Sequence, residues 1–370
     1  MLFIRQEKLK EGMRLAKPIY NKKGVLLYDR NSKLTRQGIE SVHNFGLIGL
    51  YILEPAEPLP PMSEEDMEFE RFTMMSTFAI EDELRAIHDK DKNDSGLEQV
   101  ATQVIKRYGH LDHKINFVQS LRSREDKYYK HALNTAILTA MIARKLNLKH
   151  TQLHDAVMTA LIMDIGMLDI PDELRDKTGD ELSEGDIETI ERLSMAGTQY
   201  IGQACSQNPV IKRIAVQVIR EMEAYARNET ADKAGKSYYE AKVVKLAAIF
   251  DNMTAMNDYD EPSSEISAIR FLIENDEMFE PEITEALVKS INIVVPGCSV
   301  ELNTGEKALV INENERNILK PIVLTFSDNK IIDLGQELIY GGLYIKDVMK
   351  TMDNRCVVDK SALAGFGVNV

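Results

Sequence analysis

KHALNTAILTAMIARKLNL, residues 130–148, decides the fold. Its apolar residues Leu133, Ala136, Ile137, Ala140 and Met141 recur at intervals of three and four, which is one stripe along an α-helix. The spacing returns in Leu153, Val157, Ala160 and Leu161, and again in Val244, Ala247 and Ala248. From about residue 97 to residue 295 such patterns dominate and strand signals are scarce. Stripes of this width must bury against one another, so the middle of the chain is predicted to be a helical bundle.

Three polar residues ride on these stripes. His131 opens the first. Asp164 lies three residues beyond Leu161 and seven beyond Val157, and Asp251 continues the third. A carboxylate facing a core is costly unless it is paired, hydrogen-bonded or bound to a cation. Spacing alone leaves three answers open: a cap on a neighbouring helix, a buried basic partner, or one metal shared by three helices. His131 by itself reads equally well as a hydrogen-bonded core histidine.

Outward from the bundle, the texture changes at both ends. Toward the N-terminus, Pro18-Ile19-Tyr20 and Val25-Leu26-Leu27-Tyr28 flank Asn21-Lys22-Lys23-Gly24, the form of a hairpin. A helix carrying Ile39, Val42 and Phe45 on one face and stopping at Gly46 should follow, then a strand over 47–53. EPAEPLPP, residues 54–61, is a proline-rich linker. Ser63 followed by Asp66 is a helix-start signal, and Phe72, Met75 and Ala79 continue at helical spacing, a connecting or spacer helix. Beyond Pro296-Gly297, Ser299–Leu302 and Lys307–Val310 flank Asn303-Thr304-Gly305-Glu306, a second hairpin, with strand texture again at 321–324 and 331–332. The expected organisation is a β-rich module at 1–55, a linker and connecting helices at 56–124, the helical domain at 125–296, a β-extension at 297–350 and a tail at 351–370.

Composition narrows the function. The 370 residues carry 44% apolar and 28% charged residues, ordinary for a globular protein, and no stretch has the ~18 uninterrupted apolar residues of a membrane helix. The N-terminal MLFIRQEKLKEGM turns charged too early for a secretory signal. Three scattered cysteines, Cys205, Cys298 and Cys356, suit neither a disulfide framework nor a zinc knuckle and fit a reducing cytoplasm. A formal charge of −14 disfavours a nucleic-acid polymer as partner.

KHALNTAILTAMIARKLNL, then ALIMDIGMLDIPDELRDKTGDELSEGDIETIERLSMAG at 160–197, then AKVVKLAAIFDNMTAM at 241–256, resembles the HD-GYP branch of the HD phosphohydrolase superfamily. LKEGMRLAKPIYNKKGVLLYDRNSKLTRQGIESV at 9–42 looks like the small module that precedes such domains, and PGCSVELNTGEKALVI at 296–311 like their C-terminal extension. The resemblance implies a mainly α protein, an HD-type bundle between a small N-terminal α+β module and a small C-terminal β-subdomain. It also implies a relation to cyclic di-GMP, which family members hydrolyse with two or three divalent metals.

Carried over residue by residue, the resemblance places family ligands on His131, Asp164 and Asp251. A ligand one turn before His131, usually acidic, falls on Lys127. The histidine of the paired histidine and aspartate falls on Met163, and the phosphate-contacting lysine on Met167. A further histidine falls on Leu193, four residues before Gly197, and a His-His-Glu run on Ile219, Arg220 and Glu221. The glycine-tyrosine-proline segment is missing between Glu221 and Lys245, and all seven histidines lie at or before His154. The expectation is therefore a degenerate HD-GYP-like signalling protein without phosphodiesterase activity or cofactor, acting as a receptor or protein-interaction module. Arg220 is expected either to clamp a phosphate or to pair with Asp164 or Asp251. The alternatives are a weakly active phosphodiesterase with residual iron or manganese on His131, Asp164 and Asp251, and a structural adapter. A protein partner, cyclic di-GMP, and a homodimer through residues 62–125 are the candidate contacts.

Overall fold

The computed structural model describes residues 2–21, 23–44, 47, 49–53, 63–90, 93–117, 119, 122–175, 177, 181–227, 237–255, 263–314 and 317–348. The expected linker, the expected helix stop at Phe45-Gly46 and the expected tail fall outside them, as do residues 228–236 of the stretch where the family tripeptide is missing.

Strands β1 (Leu2–Arg5), β2 (Arg14–Leu15) and β5 (Gly49–Leu53) form an antiparallel sheet in the order β1-β5-β2. The expected hairpin is β3 (Ile19–Tyr20) against β4 (Leu26–Tyr28), and its turn is held by Asn21, whose side chain accepts from the Lys23 and Val25 amides. Helix α1 (Arg36–Asn44) closes a core of Leu9, Leu15, Ile19, Leu34, Val42, Leu50 and Ile52.

Helix α2 (Glu64–Lys90) starts where the sequence signals it: Ser63 N–H donates to the Asp66 carboxylate and Asp66 N–H to the Ser63 hydroxyl. It is no solvated spacer. Phe69, Phe72, Ile80, Leu84 and Ile87 are buried, and Phe69 and Phe72 meet Tyr108 of α3 (Ser95–Tyr108) edge-on. A Lys17–Glu70 ion pair of 2.5 Å ties the N-terminal module to it.

Helices α4 (Lys127–Lys145), α5 (His150–Ile162), α6 (Asp172–Arg175), α7 (Glu184–Ala204), α8 (Pro209–Ala226) and α9 (Tyr239–Thr254) follow, with a 3-10 helix at Ile165–Asp169 between α5 and α6. Every residue of α4 from His131 to Ala143 is buried, which makes it the central helix, packed against α2, α3, α5 and α9.

The chain divides into two compact units. The first holds the elements above together with α11 (Pro281–Val288). The second holds α10 (Glu265–Glu274) and a five-stranded antiparallel sheet in the order β10-β6-β7-β8-β9. Its strands are β6 (Ser299–Leu302), β7 (Lys307–Asn312), β8 (Ile322–Thr325), β9 (Ile331–Asp333) and β10 (Ile345–Val348), the last unmarked in the sequence, and α12 (Glu337–Tyr340) lies between β9 and β10. The fold is thus mainly α, with a small sheet toward each end. Among the described residues no helix is long and apolar enough to cross a membrane.

Candidate functional site

The site is built on α4, α9 and the segment that leads into α4. Ser123 and Asp126 bond reciprocally, Ser123 N–H to the Asp126 carboxylate and Asp126 N–H to the Ser123 hydroxyl, and this turn fixes Arg122 immediately before it. Asp251, on the inner face of α9, is completely buried. Five contacts saturate its carboxylate. Oδ1 accepts from Arg122 Nη2 at 2.5 Å, Gln119 Nε2 at 2.9 Å and Asn134 Nδ2 at 3.0 Å. Oδ2 accepts from the same Arg122 nitrogen at 2.6 Å and from His131 Nδ1 at 2.6 Å. Gln119 closes the network, its Oε1 accepting from Arg122 and Asn134 and its amide donating to Thr254.

Burial pushes the Asp251 carboxyl up, but the Arg122 guanidinium and then His131 outweigh it and hold the group far below the usual carboxylate range. An ionised carboxylate only accepts, so His131 Nδ1 carries the proton and Nε2 is the nitrogen turned toward Asp164. That separation is 3.6 Å, too long for a hydrogen bond.

Asp164 does not continue α5, which ends at Ile162; it stands immediately before the 3-10 helix, and its side chain makes no capping bond there. Burial raises its carboxyl, His131 opposes the shift and Asp251 adds to it. The 3-10 helix lies backbone-to-backbone on α7, where a Cβ on Gly166 would stand 2.3 Å from the Leu193 carbonyl oxygen and one on Gly197 would stand 2.5 Å from the Gly166 nitrogen. Only glycine allows that approach, and it holds Met163 and Met167 in the wall of a cleft of about 950 Å³.

Arg122, Lys127, His131 and Asp164 line this cleft, with Met163, Met167, Ile187, Ile190, Ile219 and Met222 as apolar wall. Glu184, Glu191, Glu223 and Arg227 also line it. Arg227 holds Glu191 through a two-point fork, both bonds 2.7 Å. Arg220 is not in the lining. It is exposed on α8, because the helix turns Val218 and Ile219 inward and carries the next residue outward. The expected pairing of Arg220 with Asp251 is therefore corrected to Arg122, and Asp164 has no arginine partner among the described residues. Glu221 is likewise engaged elsewhere, in a 2.9 Å ion pair with Lys245.

Comparison with known proteins places this geometry. Residues 117–283 match the family model described as the HD domain. The cyclic di-GMP phosphodiesterase PA4108 of Pseudomonas aeruginosa is 22% identical over 65% of this chain and 58% of its own. The cyclic di-GMP phosphodiesterase PdeB of Borreliella burgdorferi is 21% identical over 56% of this chain and 54% of its own. Residues 117–283 are thus an HD domain, and the chain is HD-GYP-like in its similarity to these cyclic di-GMP phosphodiesterases. It spans little more than half the length of these two curated relatives. Among solved structures, Bd1817, an HDG"Y"P protein from Bdellovibrio bacteriovorus, aligns over 77% of this chain and 97% of its own at 13% identity with a TM-score of 0.46.

The family implies a metal centre, and the donor set here does not fit one. Both oxygens of Asp251 are taken by N–H donors, which occupy the lone pairs a cation would use. A guanidinium already supplies the positive charge, and Lys127 adds a second cation to the lining. Among the described residues no three His, Cys, Asp or Glu side chains are grouped to hold a metal ion.

The sequence reading missed Gln119, Arg122 and Asn134. Asn134 carried a signal, since it follows His131 by three residues and so shares its face inside an apolar helix. Arg122 carried none. Arg122-Ser123-Arg124-Glu125-Asp126-Lys127 reads as a solvated charge run, and its partner is 129 residues away.

Proposed function

We propose that this HD domain works in bacterial cyclic di-GMP signalling by binding rather than by hydrolysis, in the cytoplasm and through a protein partner. The observation that carries the reading is the Arg122 nitrogen bridging both oxygens of Asp251. A metal-activated hydroxide is the nucleophile of this chemistry, and a carboxylate closed by a guanidinium has no position for the metal that would generate it. The replacements Met163, Met167 and Ile219 line the cleft with apolar surface where the resemblance implies two histidines and a phosphate-contacting lysine.

The character of the cleft favours a protein-interaction module over a nucleotide receptor. Its lining holds the carboxyls Asp164, Glu184, Glu191 and Glu223 beside Arg122, Lys127, His131 and Arg227, and of these basic groups Arg122 is spent on Asp251 and Arg227 on Glu191. A ligand with two phosphates meets an acidic surplus there, whereas an apolar segment finds methionine and isoleucine walls. A homodimer through residues 62–125 would find Phe69, Phe72 and Leu84 of α2 already buried.

Calorimetric titration of the full chain with cyclic di-GMP, run beside metal analysis and a hydrolysis assay on the same preparation, tests the reading. The expected result is substoichiometric metal, no hydrolysis and no binding. Binding without metal would replace the interaction module by a receptor, and turnover with stoichiometric iron or manganese would overturn the proposal.

A further inference from the structure

We propose that the Arg122 guanidinium is the resident cation of this centre, doing permanently what a divalent metal does in an HD site, and that its removal reopens a divalent-cation site between His131 and Asp164, with Asp251 orienting the imidazole and supplying uncompensated negative charge behind it. The inference rests on the reading of a metal-free centre given above and extends it to why the fold tolerates the loss.

Two features mark Arg122 as a charge rather than a hydrogen-bonding fork. Among the described residues, its three hydrogen bonds, to both Asp251 oxygens and to Gln119 Oε1, all run through one terminal nitrogen. Its Nε is buried and has no partner among the described residues. Arginines selected for recognition spread their donors over a planar partner, as Arg227 does on Glu191. A guanidinium buried at 3% exposure with an orphaned N–H is tolerated because the ionised carboxylate beside it, at 0%, demands a positive charge.

The residual ligands keep an arrangement that a metal can use. His131 donates Nδ1–H to Asp251, so Nε2 is the free lone pair and Asp251 orients the ring from behind, as carboxylates do for metal-bound histidines. Nε2 and the Asp164 carboxylate face each other at 3.6 Å. With metal–ligand bonds of about 2.1 Å, that separation corresponds to an angle of roughly 120° at a shared ion. With Arg122 in place, the local positive charge opposes a dication there. Without it, the uncompensated Asp251 charge favours one.

The test compares the full-length wild type with Arg122→Ala, Arg122→Lys and the double variant Arg122→Ala with Asp251→Asn, each titrated with Mn²⁺ by calorimetry and by thermal unfolding. Wild type and Arg122→Lys are expected to take up no Mn²⁺ and to show no shift. Arg122→Ala should bind about one equivalent and gain about 5 °C at roughly a hundredfold excess over its Kd. The double variant should lose both responses. Should Arg122→Ala unfold without metal, recovery of its fold in Mn²⁺ but not in Mg²⁺-free chelator counts for the proposal, and Arg122→Gln supplies the same comparison in a milder variant. Folded Arg122→Ala and Arg122→Gln proteins that both ignore Mn²⁺ would overturn it. Stoichiometric Mn²⁺ on the wild type would overturn the metal-free reading itself, a separate and recognisable failure.

Discussion

Asp251 and Asp164 sit on either side of one histidine, yet they are opposite kinds of carboxylate. The first is wholly buried and held ionised by Arg122, His131, Gln119 and Asn134. The second, at 22% exposure, meets a distant imidazole as its one ionic neighbour among the described residues, and burial pushes its carboxyl up. The less exposed group is the more acidic one. The comparison shows that a partner cation, not depth, decides the charge state of a buried carboxylate.

The contrast breaks most severely if its cation is removed. Arg122→Met leaves an uncompensated charge in the core and should cost about 3–5 kcal/mol in urea unfolding of the full chain. Adding Asp251→Asn should recover a large part of that loss, because it removes the orphaned charge as well. If the double variant is as unstable as the single, the pair is not the unit described here.

What the sequence made legible divides along the same line. Helical stripes depend only on local spacing, so Leu133 to Met141, Leu153 to Leu161 and Val244 to Ala248 foretold the bundle, and His131 and Asp251 took the faces expected of them. Asp164 did not follow, because α5 stops two residues short of it. The identity of the counter-ion was illegible, since it depends on a loop arginine meeting a helix 129 residues later. The misplaced expectation for Arg220 arose from aligning positions without knowing which way α8 turns them.

The two aspartates should also respond to pH with opposite signs. Asp251, depressed in the fold, contributes stability that is complete above its ordinary value of 3.8 and is lost as the pH falls from there through its folded value. Asp164, raised in the fold, imposes a penalty that grows as the pH rises from 3.8 through its folded value. Asp164→Asn should therefore raise the unfolding midpoint at neutral pH, with the gain fading as the pH approaches 3.8, while Asp251→Asn lowers it. Denaturant midpoints of both variants across the acid range check the pair, and parallel curves would contradict it.

A smaller effect belongs to His154, where α5 meets α3. Its hydrogen bond to Asp155 lifts the imidazole, burial opposes, and Glu98 at 2.8 Å lifts it further, to about 9. Raised above the ordinary 6.5, it contributes stability that is complete below 6.5 and lost as the pH rises through about 9. His154→Gln should flatten the stability profile in that window, and an unchanged slope would remove the histidine from the account. The smallest effect is that of Arg220→Ala, which is expected to stay within about 0.5 kcal/mol of wild type because the side chain is exposed and away from the cleft.

The central claim, that a guanidinium rather than a metal holds the centre together, is tested most directly by unfolding the full-length wild type in urea with and without a strong chelator. The account predicts superimposable transitions. A midpoint that falls on chelation and returns with iron or manganese would contradict it.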